Sequence, residues 1–221
     1  MHTPPSPAAD REDGRSARKR QAVMRAATEL FLARGYQATS MDDIAAAAAV
    51  SKPTVYRHFT DKERLFVAIV LDTLDRIGDP FRDQVHALAT SAAVEADLRA
   101  LAGSYLETVT RPEVIRLRRL VVGEAGRLPE LARAYHERAA ARTLASLAEG
   151  FAGLDRRGAL RVDDPAGAAA HFAFLVIGPA LDAALFGVPD ATDADRAATV
   201  EAAVRVFLAA YGRAPGTPAP A

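Results

Sequence analysis

The chain has 221 residues, half of them hydrophobic and a quarter charged, which suits a folded globular protein and excludes a disordered one. Lysine plus arginine and aspartate plus glutamate both number 28, so the average charge points to no polyanionic partner. Cysteine is absent, which excludes a disulfide framework, thiolate metal sites and cysteine nucleophiles.

Residues 1–14 are polar and proline-rich, without the apolar stretch of a signal peptide, and predict a disordered arm on a cytoplasmic protein. From 16 to 34 the pattern is helical: Val23, Ala27, Leu30 and Phe31 fall on one stripe, and Gly35 supplies the stop. Between Arg15 and Arg34 six basic residues, among them Arg18, Lys19 and Arg20, stand against one acid, Glu29. That local positive patch is hidden by the neutral total. A second, short helix opens with Ser40 as N-cap and Asp43 three residues later, turning Ile44 and Ala45 inward. After a turn at Ala49, Ser51 caps a third short helix over 52–58. Thr60 and Glu63 have capping-box spacing and open a long fourth helix, which buries Leu65, Phe66, Ile69, Val70, Leu74 and Ile77 until Gly78 and Pro80 end it. Further helices are predicted over 82–89, 94–110, 112–126, 129–150, 165–186 and 193–211, with Pro112, Pro129 and Pro165 in first turns where proline is tolerated. Residues 212–221 predict a disordered tail. The longest apolar run, 172–181, is about half the length a bilayer needs, so no membrane partner is expected.

Two short helices joined by a tight turn, the second rich in cations and hydroxyls, form the sequence pattern of a helix-turn-helix. A helix enters the major groove only when a second helix braces it and donors project toward base edges and phosphates. Ile44, Ala45, Val50, Val55 and Phe59 would hold the pair together, leaving Lys52, Pro53, Thr54 and Arg57 outward. Many surface helices also carry lysine and arginine, so this pattern alone leaves both readings open.

The order of residues narrows the choice. Ala27, Leu30, Phe31, Gly35, Tyr36, Thr39, Ile44, Ala45, Val50, Ser51, Lys52, Thr54, Tyr56, His58, Phe59, Lys62 and Leu65 follow one another in a spacing that resembles the DNA-binding domain of the TetR family of bacterial transcription regulators. The segment VSKPTVYRHFTDKERL carries most of the likeness, and GEAGRLPELARAYHE (123–137) more weakly resembles the regulatory half of regulators near efflux systems. The resemblance implies an all-α fold. An N-terminal three-helix helix-turn-helix DNA-binding domain (15–62) would precede a larger helical ligand-binding and dimerisation domain (63–211). It also places Lys52, Pro53, Thr54 and Arg57 at base edges, and Tyr56, His58 and Lys62 at phosphates. Thr39 and Ser40 would offer hydroxyls to phosphates, and Arg18 and Lys19 would lie along the DNA backbone or reach the minor groove. Arg57 departs from the aromatic frequent in the family and suits either a guanine or a phosphate. Tyr56 and His58 also fit a packing ring and a plain surface imidazole. Ala49 stands where the family most often has glycine, a position suited to positive φ.

The implied function is a ligand-responsive regulator, a repressor released from a pseudo-palindromic double-stranded DNA operator by a small-molecule effector. The alternative is a helical dimeric adaptor or activator of the same fold without induction. No nucleophile elbow or phosphate-binding glycine loop is present, and the five histidines are scattered, so no enzyme, cofactor or metal site is expected. The last two helices carry apolar residues on more than one face and need two partners, the domain core and a second copy, unless one large monomer core buries both faces. Phe172, Leu175, Pro179, Val204, Phe207 and Tyr211 are the candidate dimer residues. Phe66, Tyr105, Arg118, Glu124, His171 and Phe174 are the candidate effector contacts.

Overall fold

The computed structural model describes residues 7–188 and 191–213. Among them run ten α-helices, α1 (Pro7–Arg34), α2 (Met41–Ala47), α3 (Lys52–His58), α4 (Lys62–Leu88), α5 (Val94–Thr110), α6 (Pro112–Glu124), α7 (Pro129–His136), α8 (Arg142–Arg156), α9 (Pro165–Leu185) and α10 (Asp193–Tyr211). A π-turn, Glu137–Ala141, joins α7 to α8, and one isolated bridge links Leu160 to Gly212.

Four boundaries differ from expectation, one of them the helix expected over 129–150, which contains the π-turn and runs on to Arg156. α1 starts at Pro7, so residues 7–14 are helical rather than a disordered arm. Proline at a first helical position gives up only an N–H that would be unpaired anyway, and alanines favour helix. Residues 1–6 of the expected arm, and 214–221 of the expected tail, lie outside the described residues. At the start of α4 the cap is Asp61, whose carboxylate accepts from the Arg64 N–H at 2.7 Å, and not Thr60. α4 then passes through Gly78 and Pro80 and absorbs the helix predicted over 82–89. An interior proline costs about 3 kcal/mol. Burial of Phe81, Val85 and Leu88 just beyond it, each worth about 1.5–3 kcal/mol, outweighs that cost.

Two hydrophobic cores share α4. In the first, α1, α2 and α3 pack on the N-terminal half of α4 through Val23, Ala27, Ile44, Val55, Leu65, Ile69 and Val70. Leu117 and Val121 of α6 and Leu131 and Tyr135 of α7 close that core from the far side. The rings of Phe31, Tyr36 and Phe66 meet at its centre with centroids 5.0 to 5.6 Å apart. In the second core the C-terminal half of α4 meets α5, α8, α9 and α10 around Phe151, Phe172 and Phe207. The division falls on α4 between Leu74 and Phe81, not at the expected boundary after residue 62. α9, with a mean hydropathy of 1.6 over 18 residues, is long and apolar enough to cross a bilayer. Its apolarity has a local use, since Ala168, Phe172, Ala173 and Val176 are buried in the second core.

Candidate functional site

Seven-residue helices are too short to stand alone in water; α2 is held by its cap, α3 has no side-chain cap bond from Ser51, and both rest on a shared core. Ser40 and Asp43 form a reciprocal capping box at the start of α2. Ile44, Ala45, Val55 and Phe59, all at most 5 % exposed, lock α2 and α3 onto α1. Between the helices the Val50 N–H bonds the Ala45 carbonyl and the Ala49 N–H bonds the Ala46 carbonyl, both at 3.1 Å. That pair of bonds is a Schellman closure. It requires a left-handed residue at Ala49, whose φ is +52°, the single positive φ outside glycine among the described residues.

The brace leaves one side of α3 in solvent. Lys52, Pro53, Tyr56 and Arg57 are exposed, Tyr56 to 51 %, while Thr54 and His58 are half-buried. The Tyr56 ring is therefore free to reach a partner rather than packed inside. Lys52 Nζ sits 2.5 Å from Asp42 Oδ2 in an exposed ion pair, which raises the lysine pKa and which a phosphate would have to replace. Thr54 Oγ1 lies 2.8 Å from Ser51 Oγ. At the end of α3, burial and then the charges of Arg57, Arg20 and Lys19 lower the His58 pKa. Its Nε2 is buried with no hydrogen-bond partner. The Arg20 guanidinium lies 5.2 Å from the Phe59 ring centroid, so α1 and α3 together carry one cationic cluster. Arg18 and Lys19 are exposed on the same stretch of α1.

Two expected phosphate contacts have other duties. Lys62 Nζ donates to the carbonyls of Tyr36 (2.9 Å) and Thr39 (3.0 Å) and lies 4.3 Å from the Tyr36 ring centroid. It clamps the α1–α2 loop to α4, and its donors are spent there. Thr39 is 1 % exposed and its hydroxyl donates to the Gly35 carbonyl at 2.9 Å. Both residues, with Ser40 and Tyr56, nonetheless border one shallow depression at the start of α2.

A second feature lies between the two cores. Side chains from α4, α5, α6, α7, the π-turn, α8 and α9 line an open-sided cavity of about 140 Å³. Leu74, Ile77, Phe81, Val114, Leu144 and Ile177 make its apolar walls, and Tyr105, Arg118, Tyr135 and Arg138 its polar groups. Burial pushes the Tyr105 phenol up to about 12 and raises that of Tyr135, so both stay protonated donors. Of the expected effector contacts, Tyr105, Arg118 and Phe174 line this cavity. The other three do not. Phe66 fills the first core against Phe31 and Tyr36, Glu124 accepts from Gln37 Nε2 at 2.7 Å, and His171 Nδ1 lies 2.6 Å from the exposed-side Tyr211 hydroxyl.

Residues 23–69 match the family described as bacterial regulatory proteins, tetR family. Residues 96–213, more than half the chain, match a second family description, the AefR-like transcriptional repressor C-terminal domain. The chain belongs to the TetR family. Among solved TetR-family structures, a regulator from Mesorhizobium loti is 38 % identical with a TM-score of 0.85, over 90 % of this chain and 99 % of that one. The flavonoid-responsive regulator FrrA is 33 % identical with a TM-score of 0.72, over 91 % and 100 % of the two chains. The transcriptional activator FasR of Mycolicibacterium smegmatis is 35 % identical over 91 residues, 41 % of this chain and 40 % of that protein. The chain spans about half or less of the length of the curated relatives it matches.

Within the TetR fold, several cavity residues escaped sequence reading. Phe81 stood in what read as a helix break. Arg138 lies in the π-turn, and no periodicity marks such an insertion. The spacing Leu131–Tyr135 on α7 was a usable signal of an inward-facing tyrosine. Among the dimer candidates, Phe172, Val204 and Phe207 are fully buried in the second core of their own protomer and face no partner. Leu175 and Pro179 are exposed, and Tyr211 is half-buried.

Proposed function

We propose that this TetR-family protein is a cytoplasmic transcriptional repressor. A homodimer would hold a pseudo-palindromic operator with paired α3 helices and let go when a small molecule fills the cavity. The observation that carries the reading is the sharing of elements between the two sites. Tyr135 lines the cavity and belongs to the core under α3, and α4 contributes to both cores. A ligand that bound better to one arrangement of α4, α6 and α7 would shift the population of recognition-helix spacings. Gln37 bonded to Glu124, and Arg138 bonded to Asp75 at 3.2 Å, are polar ties along that route.

For DNA contact the reading keeps Lys52, Pro53, Thr54, Tyr56, Arg57, His58, Ser40, Arg18 and Lys19, and it removes Lys62 and Thr39 from direct contact. Dimerisation is assigned to the outer faces of α9 and α10. There Phe174 (66 % exposed), Leu175 (37 %) and Val206 (48 %) leave apolar surface uncovered. FrrA is named as flavonoid-responsive, which supports effector control, and the description of the matched C-terminal domain supports repression.

A gel-shift titration over the protein's own upstream DNA tests the reading. A specific shift weakened by salt, and weakened at least about tenfold by Arg57→Ala with unchanged melting, is expected. A shift insensitive to both salt and Arg57→Ala would overturn it.

A further inference from the structure

We propose that the cavity takes an anionic ligand with an apolar body about one ring in size, its carboxylate held by Arg118. This rests on the effector reading above and names the chemistry of its ligand. The four arginines around the cavity and the adjoining hollow are not equivalent. Arg138 is ion-paired with Asp75 (3.2 Å), Arg76 with Asp72 (3.2 Å) and Arg111 with Glu107 (3.6 Å). For Arg118 no carboxylate lies within ion-pair distance among the described residues. Its neighbours are Tyr135, whose ring centroid is 5.7 Å from the guanidinium, and Tyr105, the other phenol in the lining.

A half-buried guanidinium among apolar walls is poorly compensated by a neutral phenol and an aromatic face. A planar carboxylate would meet its fork with two parallel bonds. Tyr105 and Tyr135, 9 % and 8 % exposed, stay protonated and can donate to the same anion. Size sets the rest of the ligand. About 140 Å³ is close to the roughly 150 Å³ engineered cavity that holds a benzene. The cavity shares Ile77, Phe81 and Thr108 with a more polar hollow of about 270 Å³, toward which a ring substituent could extend.

The test is calorimetric titration of the full chain with p-toluate and with its neutral isostere p-toluamide, on wild type, Arg118→Gln and Arg118→Lys. The acid should bind wild type at least about tenfold more tightly than the amide, the scale of one charge-assisted bond. Arg118→Gln should abolish that preference, and Arg118→Lys should retain part of it. Equal affinities on wild type overturn the proposal whether or not the variants fold, and so does a preference that survives in Arg118→Gln. If both probes bind alike and both release DNA, the effector reading stands and the anion assignment fails. If neither binds up to about 10 mM, the assignment and the cavity reading fail together.

Discussion

At Ala49 the chain accepts a backbone conformation that glycine adopts without steric cost. Its φ of +52° closes the turn between α2 and α3, where a Cβ costs about 1–2 kcal/mol. Glycine loses more chain entropy on folding, about 0.4–1 kcal/mol, which offsets part of the gain. Ala49→Gly should therefore raise stability by about 0.5–1 kcal/mol, read as a higher urea midpoint at unchanged slope. A lower midpoint would contradict the turn's geometry. His58 makes the opposite kind of prediction, one of pH. Burial and the charges of Arg57, Arg20 and Lys19 hold its folded pKa below the ordinary 6.5. The unfolded chain thus takes up the proton first, and stability present above pH 6.5 is lost as pH falls through the lowered value. Urea midpoints should drop across that window in wild type, and the drop should shrink in His58→Gln. An equally steep drop in the variant would assign the effect to other groups.

Among elements, α4 is shared by both cores, and Lys62 anchors its first turn. Lys62→Met removes the donor to the Tyr36 and Thr39 carbonyls. It should cost about 1–2 kcal/mol of stability while leaving the salt slope of DNA binding where it was. A slope reduced by about one, with unchanged stability, would make Lys62 a phosphate contact after all. The same residue shows how far sequence reading reaches. Caps, first-turn prolines and apolar stripes placed α2, α3, α5, α6, α9 and α10 to within a few residues, because those signals are local. Pro80 read as a stop because its cost is local too, whereas the burial of Phe81, Val85 and Leu88 that overrides it comes from helices distant in sequence. On the recognition face, the exposure of Lys52, Pro53 and Arg57 was legible, since α3 has only one core side, while Tyr56 fitted a packed ring as well and Thr54 is half-buried. The occupation of Lys62 and Thr39 was not, because it depends on carbonyls of the α1–α2 loop. The cavity was half legible for a similar reason: Arg118 and Tyr105 announce themselves by type, while Arg138 depends on the π-turn.

For the whole molecule, apolar surface left on α9 and α10 argues for a second copy. Leu175→Arg combined with Val206→Glu should yield folded monomers in sedimentation equilibrium and weaken operator binding at least about a hundredfold, since one half-site then binds without its pair. A double variant that remained dimeric would move the interface elsewhere. The central claim joins this symmetry to the exposed face of α3, and selection of bound duplexes from a random-sequence pool tests it most directly. The expected result is enrichment of inverted half-sites with centres about 34–36 Å apart, or a multiple of that spacing, lost when Lys52 and Arg57 are replaced by alanine. Enrichment of no duplex, or of the same duplexes by the alanine variant, would contradict it.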